Sequence, residues 1–396
     1  MMSANTIRSL CRDIIWRWRS AFSYKAARYL GLIVAVGVCL AAVQPDALRH
    51  TAGVQAVIVK CPRGTSYPND GCIGAQSSGS VYHADFFTRY TGMNMPYRPP
   101  WNVAGVDYPV GYAGALADPT AGGLPACASL SGTGSGPYSV TVSRSCTISG
   151  FDFSLYNGIC VTISAASGSV SFANDKFGVG IYCNQNGGSM THITGAAAVT
   201  FTYCEWQLSH SFTNPEAALV IDSTATVTVK YSAFKDPDQA GIEPDQPMML
   251  NVSFNFVENI GAPPNHGDWV IGNNMSGTFT YNNDYNTLFE GSTTATTICY
   301  LTTANAGGTI TGNCQHNVMV GSVGGPGGFL NFIGMPATID TFDVSDNYFA
   351  LLGSYGYYAK SGSGGSITGL TCHGNFDMTT GAAATGSLGP ATCARR

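Results

Sequence analysis

Apolar and polar positions recur with a regular spacing through the second half of the chain. An apolar or small residue is followed three positions later by a polar or small anchor residue, and two positions after that by a further side chain. The clearest copies are Phe201-x-x-Cys204-x-Trp206, Val229-x-x-Ser232-x-Phe234, Val252-x-x-Asn255-x-Val257, Tyr281-x-x-Asp284-x-Asn286, Cys314-x-x-Asn317-x-Met319, Val344-x-x-Asn347-x-Phe349 and Cys372-x-x-Asn375-x-Asp377, and weaker copies are centred on Phe151 and Asp175. Successive anchors are 23 to 33 residues apart. A repeat of this length predicts a solenoid.

The segments around the anchors alternate apolar and polar residues, as in Val227–Tyr231, which is the pattern of a β-strand. A second short strand is predicted after each anchor, with Gly, Asn and Ser between the strands as turns require. The chain contains 49 Gly and only 10% charged residues, which argues against a helical solenoid. We therefore predict an all-β fold, a parallel β-helix of about nine or more coils over residues 141–380. Its coils would stack about 4.8 Å apart.

The polar anchors have a structural interpretation. An Asn inside a coil corner can bond the Asn of the next coil and satisfy backbone groups at the bend. We expect this role for the four clearest anchors, which are Asn255, Asn317, Asn347 and Asn375.

The repeat resembles that of the right-handed parallel β-helix, or pectate-lyase-like, superfamily, over about residues 140 to 380. The resemblance implies the fold. It leaves the activity open, because the superfamily includes polysaccharide lyases, glycoside hydrolases, epimerases, phage tailspikes and adhesins. The sequence patterns of the polygalacturonase-type hydrolases and of the main pectate lyase family are both missing.

Residues 1–44 differ in composition from the rest. Six basic residues and one acid, Asp13, precede an uncharged apolar run over residues 29–43. This pattern predicts an export signal. The run is short for a membrane span, which favours cleavage, whereas the long basic leader favours an uncleaved anchor. We expect a periplasmic, cell-surface or secreted protein, with residues 29–43 as an alternative anchor.

Residues 45–140 are rich in Gly, Pro, Tyr and Ala and show no repeat, and we predict an irregular N-terminal cap there. Residues 381–396 form a small tail. Eleven of the 13 Cys lie beyond the leader, and an oxidising compartment would permit disulfides. Plausible pairs are Cys61 with Cys72 and Cys299 with Cys314.

Beyond residue 44 the chain has 12 Lys and Arg against 22 Asp and Glu, a balance of −10. An acidic surface argues against nucleic acid and against docking on anionic lipid. A membrane contact is expected only through the N-terminal segment, and the oligomeric state is left open.

Titratable residues are densest between Lys230 and Asp268. Two loops in this stretch, around Glu243 and around His266, occupy similar places in consecutive coils and should lie side by side. Glu243 or Asp245 would then approach His266 and Asp268. These last two are two positions apart, so in an extended chain they share a face.

One chemistry consistent with this cluster is β-elimination on a uronic acid polymer. A base removes the proton next to the carboxylate, and a cation stabilises the developing charge. Calcium would supply that cation through carboxylate oxygens, with Asp236 and Asp238 as the first candidate ligands and Glu243 or Asp268 as others. The base would be Lys235, Lys230 or His266.

The other chemistry is hydrolysis by two carboxylates, with Asp268 paired with Glu243 or Asp245. Sugar contacts are assigned to Asp245, Trp269 and Tyr357. The structural interpretation is that Asp-Pro-Asp and Glu-Pro-Asp are ordinary turn sequences. The sequence thus predicts an exported carbohydrate-active protein, a polysaccharide lyase or glycoside hydrolase, with a non-catalytic adhesin or glycan-binding β-helix protein as the alternative.

Overall fold

Each repeat folds into strands because its side chains alternate between the interior and the surface. In the computed structural model, Val227 and Val229 of the strand Thr226–Lys230 are fully buried, whereas Thr226 is exposed. The strand Met249–Ser253 repeats the pattern one turn later, with exposed, buried and half-buried residues in alternation. Such period-two alternation is what a strand with one buried face requires.

The structure describes residues 80–83, 86–89, 97–134, 137–178, 183, 190–208, 217–237, 240–260, 267–272, 276–289, 295–302, 308–321, 328–331, 338–350, 358–359 and 369–384. No helix within these residues is long and apolar enough to cross a membrane. The predicted leader and the signal or anchor at residues 1–44 lie outside the described residues.

A short α-helix, α1 (Phe86–Arg89), and a 3-10 turn, η1 (Pro119–Ala121), precede the strands. The first strands are β1 (Ala128–Ser131), β2 (Ser139–Val142), β3 (Cys146–Ser149), β4 (Asp152–Phe153), β5 (Cys160–Ile163), β6 (Ser169–Ala173), β7 (Lys176–Gly178), β8 (Thr191–Ile193), β9 (Ala198–Thr202) and β10 (Glu205–Gln207). The central strands are β11 (Leu219–Ile221), β12 (Thr226–Lys230), β13 (Ala233–Lys235), β14 (Ala240–Pro244), β15 (Met249–Ser253), β16 (Phe256–Glu258), β17 (Gly267–Gly272), β18 (Thr278–Asp284) and β19 (Thr287–Phe289). The last strands are β20 (Ala295–Thr302), β21 (Thr309–Gln315), β22 (Val318–Val320), β23 (Gly328–Asn331), β24 (Thr338–Ser345), β25 (Tyr348–Ala350), β26 (Tyr358–Ala359), β27 (Leu370–His373) and β28 (Phe376–Asp377).

The strands form three sheets that run the length of a parallel β-solenoid. Sheet 1 has the order β1-β2-β5-β8-β11-β14-β17-β20-β23-β26. Sheet 2 runs from β3 to β27 and sheet 3 from β4 to β28, each through every third strand. From β2 onward each strand pairs in parallel with the strand three places later, and only β1 pairs antiparallel, with β2. The predicted parallel β-helix is therefore confirmed as a parallel β-solenoid.

The number of turns is smaller than the sequence predicted. Five successive turns, from β2–β4 to β14–β16, are described without a gap between their first and third strands. The later turns include residues outside the described ones, although the sheets themselves continue to nine or ten strands. The solenoid thus counts about five turns rather than nine or more.

Aromatic residues fill the first half of the interior. The rings of Phe153, Phe177, Trp206 and Phe234 stack in sequence, with centroids 5.4, 4.8 and 4.3 Å apart. They occupy equivalent positions on successive strands of sheet 3. Trp269 closes this stack with its edge toward Phe234, at 4.6 Å. Offset and edge-on contacts of this kind add to the free energy gained by burial alone.

The polar anchors form a buried ladder at the corner between sheets 2 and 3. The Oδ1 atom of Asn255 accepts the backbone N–H of Ser232, one turn before it, at 2.9 Å. The same bond recurs from Asn286 to Asn317, from Asn317 to Asn347 and from Asn347 to Asn375, at 2.8 to 3.0 Å. Each side-chain amide also donates to a backbone carbonyl, as Asn255 does to Val229 at 2.9 Å. The predicted structural role of the four Asn anchors is confirmed.

One copy of the repeat was placed two residues too early. Asp284, the predicted anchor, is half-buried at the end of β18 and does not enter the ladder. The ladder residue is Asn286, which is 1% exposed and accepts the backbone N–H of Asn255 at 2.9 Å. The strand register explains the error, because Val252 pairs with Asn283 and not with Tyr281.

Residues 97–117, which we call the strap, run along the outer face of sheet 3 from the last turn to the first. Tyr97 packs against Phe376 of β28, with ring centroids 5.9 Å apart. Ala104 accepts a hydrogen bond from the Thr287 hydroxyl at 2.7 Å. At the other end, Ala117 forms a β-bridge with Phe151. The described part of the predicted cap region therefore includes a lateral cover.

Close approach of the strap depends on glycine. Gly105 has a φ of 69°, and a Cβ there would collide with the ring of Phe256. Gly111 has a φ of 87° and donates its N–H to the carbonyl of Tyr231 at 2.9 Å. Both positions need the left-handed backbone that glycine adopts at no steric cost.

Two disulfides join segments near the first turns. They are Cys127–Cys146 and Cys160–Cys183. The predicted Cys299–Cys314 bridge is wrong, because Cys314 is a buried thiol whose sulfur accepts from the Asn317 amide at 3.5 Å. Cys61 and Cys72 lie outside the described residues.

Candidate functional site

The connections between strands vary most in length at the corner where sheet 3 leads into sheet 1. Between β5 and β19, every connection from sheet 2 to sheet 3 has two residues, and those from sheet 1 to sheet 2 have four or five. The connections from sheet 3 to sheet 1 are residues 179–190, 208–218, 236–239 and 259–266, which are 12, 11, 4 and 8 residues long. In solenoids, insertions of this kind gather on one face, which is often the binding face.

Carboxylates stand on the adjoining outer face of sheet 1. Ile242 of β14 is in the core, so its neighbour Glu243 points outward, and Asp245, two positions on, shares that face. Asp222 follows β11 and is exposed. The N–H of Asp245 donates to the carbonyl of Ile221 at 2.9 Å, which continues the parallel pairing past the strand ends. Asp222 and Asp245 are therefore neighbours, with backbones about 4.8 Å apart.

His192 lies on the same face and was not singled out by the sequence. Its neighbours Thr191 and Ile193 point into the solenoid, where Thr191 accepts from the Trp206 indole at 3.1 Å, so His192 points outward. Across the sheet, His192 lies beside Val220, and Glu243 lies on the other side of Val220. The only signal in the sequence is a single His in an otherwise uncharged strand.

The imidazole of His192 is buried, since the residue is only 9% exposed. Among the described residues, neither ring nitrogen has a hydrogen-bond partner. Burial lowers the pKa of His192 because it disfavours the charged ring, and the Asp222 carboxylate opposes that shift. Unsatisfied buried polar groups are rare in folded proteins, and each one calls for an explanation such as strain, a catalytic role, or a bound water or ion.

Asp268 lies one strand further along sheet 1. It is fully buried on β17, and the register places it beside Ala240, at the other end of β14 from Glu243 and Asp245. The register therefore does not place Asp268 next to Glu243 or Asp245, with which it was predicted to pair. Its predicted partner His266 lies outside the described residues.

Of the two aromatic residues assigned to sugar contacts, Trp269 does not join this face. Trp269 is fully buried in the core, where its ring packs over Gly241 and against Phe234. A ring in that position supports the fold and offers no face to a ligand at the surface. Tyr357 lies outside the described residues.

Lys235, the proposed base, belongs to sheet 3. Its amine forms an ion pair with the Glu205 carboxylate at 3.2 Å, and the Glu205 side chain is only 2% exposed. Burial raises the pKa of Glu205, and the positive charge of Lys235 opposes the rise. Lys235 thus has a structural partner that the sequence did not reveal.

The predicted calcium ligands are only partly described. Asp236 has a φ of 52° at the corner after β13, and its Oδ1 accepts from the Asn259 amide at 3.2 Å. Asp238 lies outside the described residues. Across the described residues, no three His, Cys, Asp or Glu side chains gather as a metal site.

Sheet 2 presents a second polar surface. Its outer face carries a row of half-buried amides in register, in which Asn282 donates to Asn251 at 2.8 Å and Asn313 donates to Asn282 at 3.4 Å. Beyond them, the Asp343 carboxylate accepts from the Thr371 and Ser345 hydroxyls at 2.6 and 2.9 Å. These hydrogen bonds lower the pKa of Asp343, although burial acts in the opposite direction. The strap covers sheet 3 and leaves these rows uncovered.

Comparison with known proteins gives no relative, since no protein-family model, curated protein or solved structure matches this chain.

Proposed function

We propose that the protein is an exported carbohydrate-active protein that binds a polymeric sugar across the outer face of sheet 1. The observation that carries the proposal is that two features belong to the same sheet. The connections of variable length all lead into sheet 1, and the outer face of that sheet carries His192 and Glu243, with Asp222 and Asp245 at the strand ends away from those connections. A sugar chain is an extended ligand, and a solenoid face offers successive binding positions about 4.8 Å apart.

Hydrolysis is the reaction that these residues support best. It needs one carboxylic acid to protonate the leaving oxygen and one carboxylate to act as base or nucleophile. Glu243 of β14 and Asp245, which directly follows that strand, share an outward face, and Asp222 lies beside Asp245, so carboxyl groups lie close together there. A glycoside hydrolase of the pectate-lyase-like superfamily, with a right-handed helix, is the specific form of this proposal.

Elimination on a polyuronate is less well supported. That reaction needs a cation to stabilise the enolate-like charge. Lys235 is bound to Glu205, and Asp236 is engaged at a corner of the solenoid. A calcium-dependent lyase would need His266 or Asp238 in its site. Both residues lie outside the described part of the chain.

The second candidate function is glycan binding without catalysis. The specific observation in its favour is the row of amides and hydroxyls on sheet 2, which the strap leaves uncovered. Such groups both donate and accept hydrogen bonds, as sugar hydroxyls require. A surface adhesin would use this face and would not need the carboxylates of sheet 1.

Export is part of the proposal and has two supports. The leader has the basic and apolar pattern of an export signal. The disulfides Cys127–Cys146 and Cys160–Cys183 suit an oxidising compartment.

The test is an activity and binding screen of the full chain on neutral, basic and acidic polysaccharides, with and without calcium. New reducing ends and ultraviolet absorbance of unsaturated uronates are followed together. We expect new reducing ends without absorbance, and their loss in an E243Q/D245N double variant. The matched control is D340N, which removes one charge from an exposed position on sheet 2. Absorbance that depends on calcium would replace hydrolysis by elimination, and binding without cleavage in every variant would favour the adhesin.

A further inference from the structure

A column of stacked aromatic rings lines the outside of the corner between sheets 2 and 3. Its members directly precede the ladder positions of consecutive turns. Neighbouring rings are nearly parallel, with centroids 4.5 to 5.3 Å apart, in the order Tyr203, Tyr231, Phe254, Tyr285 and His316. Because its neighbours cover both faces of each inner ring, a further ring can meet the inner part of the column only at its edges.

Trp101 of the strap lies across the edges of this column. The indole plane is at 86 to 90° to the rings of Tyr285, His316 and Tyr348, with centroids 5.1 to 5.8 Å away. Both faces of Tyr285 are taken by Phe254 and His316, so the T-shaped contact sets the edge of Tyr285 against a face of the indole. All three contacted rings belong to the solenoid beneath the strap. The opposite face of the half-buried Trp101 therefore points outward.

The segment that carries Trp101 is held in place on both sides. Residues 99 and 100 are prolines, which fix the backbone just before it. After it, the Asp107 carboxylate accepts the backbone N–H of Val103 at 2.8 Å and forms an ion pair with Arg98. The indole is therefore preorganised, and a ligand that stacks on it costs little further ordering.

Tyr97 provides a second ring on the same strap. It is 46% exposed, and it and Met249 are the two exposed large hydrophobic residues in the described part of the chain. Tyr97 packs against Phe376, whose turn lies two beyond that of His316, the middle contact of Trp101. The two strap rings are therefore about 10 Å apart along the solenoid, which is two turns at the strand spacing.

Hydrogen-bonding groups border the two rings, and the charged ones have partners. Nδ1 of His316 lies 3.0 Å from Oδ1 of Asp284, and its Nε2 lies 4.0 Å from Oδ2 of Asp346. Because this imidazole lies between the two carboxylates, neither needs a cationic ligand as a partner. Arg98, which follows Tyr97, is paired with Asp107 and is not free to bind an acidic ligand.

We infer that Tyr97 and Trp101 form a second sugar-binding surface, on which rings of an uncharged polysaccharide stack. Both side chains combine a flat apolar face with a polar group at the rim, which suits a ligand with C–H faces and peripheral hydroxyls. The indole N–H donates to such a hydroxyl, and Asp284 and Asp346 accept from others. This surface is separate from sheet 1, and the inference rests on the proposed function only for the class of ligand.

The experiment measures the binding of soluble oligosaccharides to the full chain by calorimetry. The probes are oligomers of glucose, mannose and N-acetylglucosamine, from the monosaccharide to the hexasaccharide, with hexamers of galacturonate and glucosamine as charged comparisons. We expect an uncharged hexamer to bind most tightly and its affinity to be independent of salt, because no ion pair is formed. Affinity should rise with length, since only a longer oligomer reaches both rings.

Variants of the two rings test the surface. Y97A and W101A should each weaken binding of the hexamer by roughly tenfold, the loss typical of a buried aromatic anchor. W101F keeps a ring and should lose less than W101A. In Y97A the gain from length should disappear. The matched control is M249A, which removes the other exposed hydrophobic side chain and should bind as the unaltered protein does. Circular dichroism checks that each variant is folded.

The outcomes separate this inference from the proposed function. The E243Q/D245N variant should lose cleavage and keep its affinity for the hexamer. If that variant loses binding while Y97A and W101F keep it, all sugar binding belongs to sheet 1, so the inference fails and the proposed function stands. An equal loss in M249A would also overturn the inference, as would tightest binding of a charged hexamer. Absence of binding to every probe would overturn it too, whereas cleavage of a polymer would still support the proposed function.

Discussion

Glu205 and Lys235 form an ion pair across neighbouring strands of sheet 3, with 3.2 Å between the amine nitrogen and a carboxylate oxygen. The Glu205 side chain is almost fully enclosed, and Gly111 of the strap lies against it. The pair therefore links the solenoid to its cover. It also explains why a lysine that looks catalytic in the sequence has a structural role.

The Glu205–Lys235 pair gives the first prediction. A K235M variant leaves a buried carboxylate without its cation, and we expect a loss of roughly 1–3 kcal/mol in the free energy of unfolding. The double variant E205Q/K235M should lose less than the single one, because no buried charge remains. Denaturant unfolding of the two single variants and the double variant measures the coupling. Strictly additive losses would mean that the pair makes no net contribution.

The raised pKa of Glu205 also predicts how the stability of the protein changes with pH. Burial raises it above its value in the unfolded chain, so the contribution of Glu205 to stability is present at low pH and is lost as pH rises through the folded-state pKa. We expect K235M to strengthen this dependence and E205Q to abolish it. Unfolding curves at several pH values between mildly acidic and neutral conditions provide the measurement.

Asp175 gives the second prediction, because it occupies the ladder position that Asn fills from Asn255 onward. It is fully buried, and burial raises its pKa to about 7. Its Oδ1 accepts the backbone N–H of Phe151 at 2.8 Å, as the ladder requires. Since the folded-state pKa is raised, the contribution of Asp175 is present below the unfolded pKa of about 4 and is lost as pH rises toward 7.

We therefore expect D175N to stabilise the protein above neutral pH and to have little effect in mild acid. A neutral amide keeps the acceptor and removes the buried charge. The gain above pH 7 should appear as a rise of several degrees in Tm, corresponding to about 1–3 kcal/mol. The same Tm change at all pH values would show that the charge of Asp175 is not the cause.

The register of the ladder gives the third prediction. N286A removes an acceptor for Asn255 and a donor to the Val252 carbonyl, both buried, so a loss of about 1–3 kcal/mol is expected. D284N, at the position that the sequence pattern favoured, should change stability by less than about 0.5 kcal/mol. Thermal unfolding of the two variants compares them directly. A larger loss in D284N would contradict the register described above.

These results show what periodicity can and cannot reveal. Asn317, Asn347 and Asn375 were predictable because one physical task, closing the same corner, recurs in each turn. Asp284 and Asn286 are both polar and two positions apart, so they satisfy the same period and only strand pairing tells them apart. The parallel sheets followed from the same alternation.

The candidate site was harder to predict because each of its residues occurs once. The segment between His192 and Asp222 includes the strands β9 to β11 and a connection of eleven residues. Only the stacking of turns brings the two residues to one face. Lys235 looked functional because charge is rare in this chain, whereas the side chain of its partner Glu205, in the three-residue strand β10, is almost fully buried. The strap has no repeat at all, so nothing in its own pattern indicates which sheet it covers.

His192 gives the fourth prediction. An H192L variant replaces two unsatisfied buried nitrogens by an apolar side chain, so we expect unchanged or slightly increased stability at neutral pH. Because burial depresses the pKa of His192, the wild type should lose stability as pH falls through that pKa, and H192L should not. Sugar cleavage or binding should fall while stability is kept.

Unfolding and sugar assays on the same H192L sample separate the two roles. A stability loss of several kcal/mol would show that His192 is a structural residue with partners in solution. Unchanged sugar binding together with unchanged stability would remove it from the site.

The strap also determines the order in which this chain can be completed. In a solenoid whose turns contact only their neighbours, folding can begin anywhere and spread. Here the residues around Tyr97 are synthesised first, yet they pack against Phe376, which is made almost last. The Tyr97 end of the strap therefore cannot pack on sheet 3 until the final turn has emerged. Because the strap contacts successive turns of sheet 3, we expect the described solenoid to unfold as a single unit rather than turn by turn. Folding should be slow, because its contacts join residues far apart in the sequence.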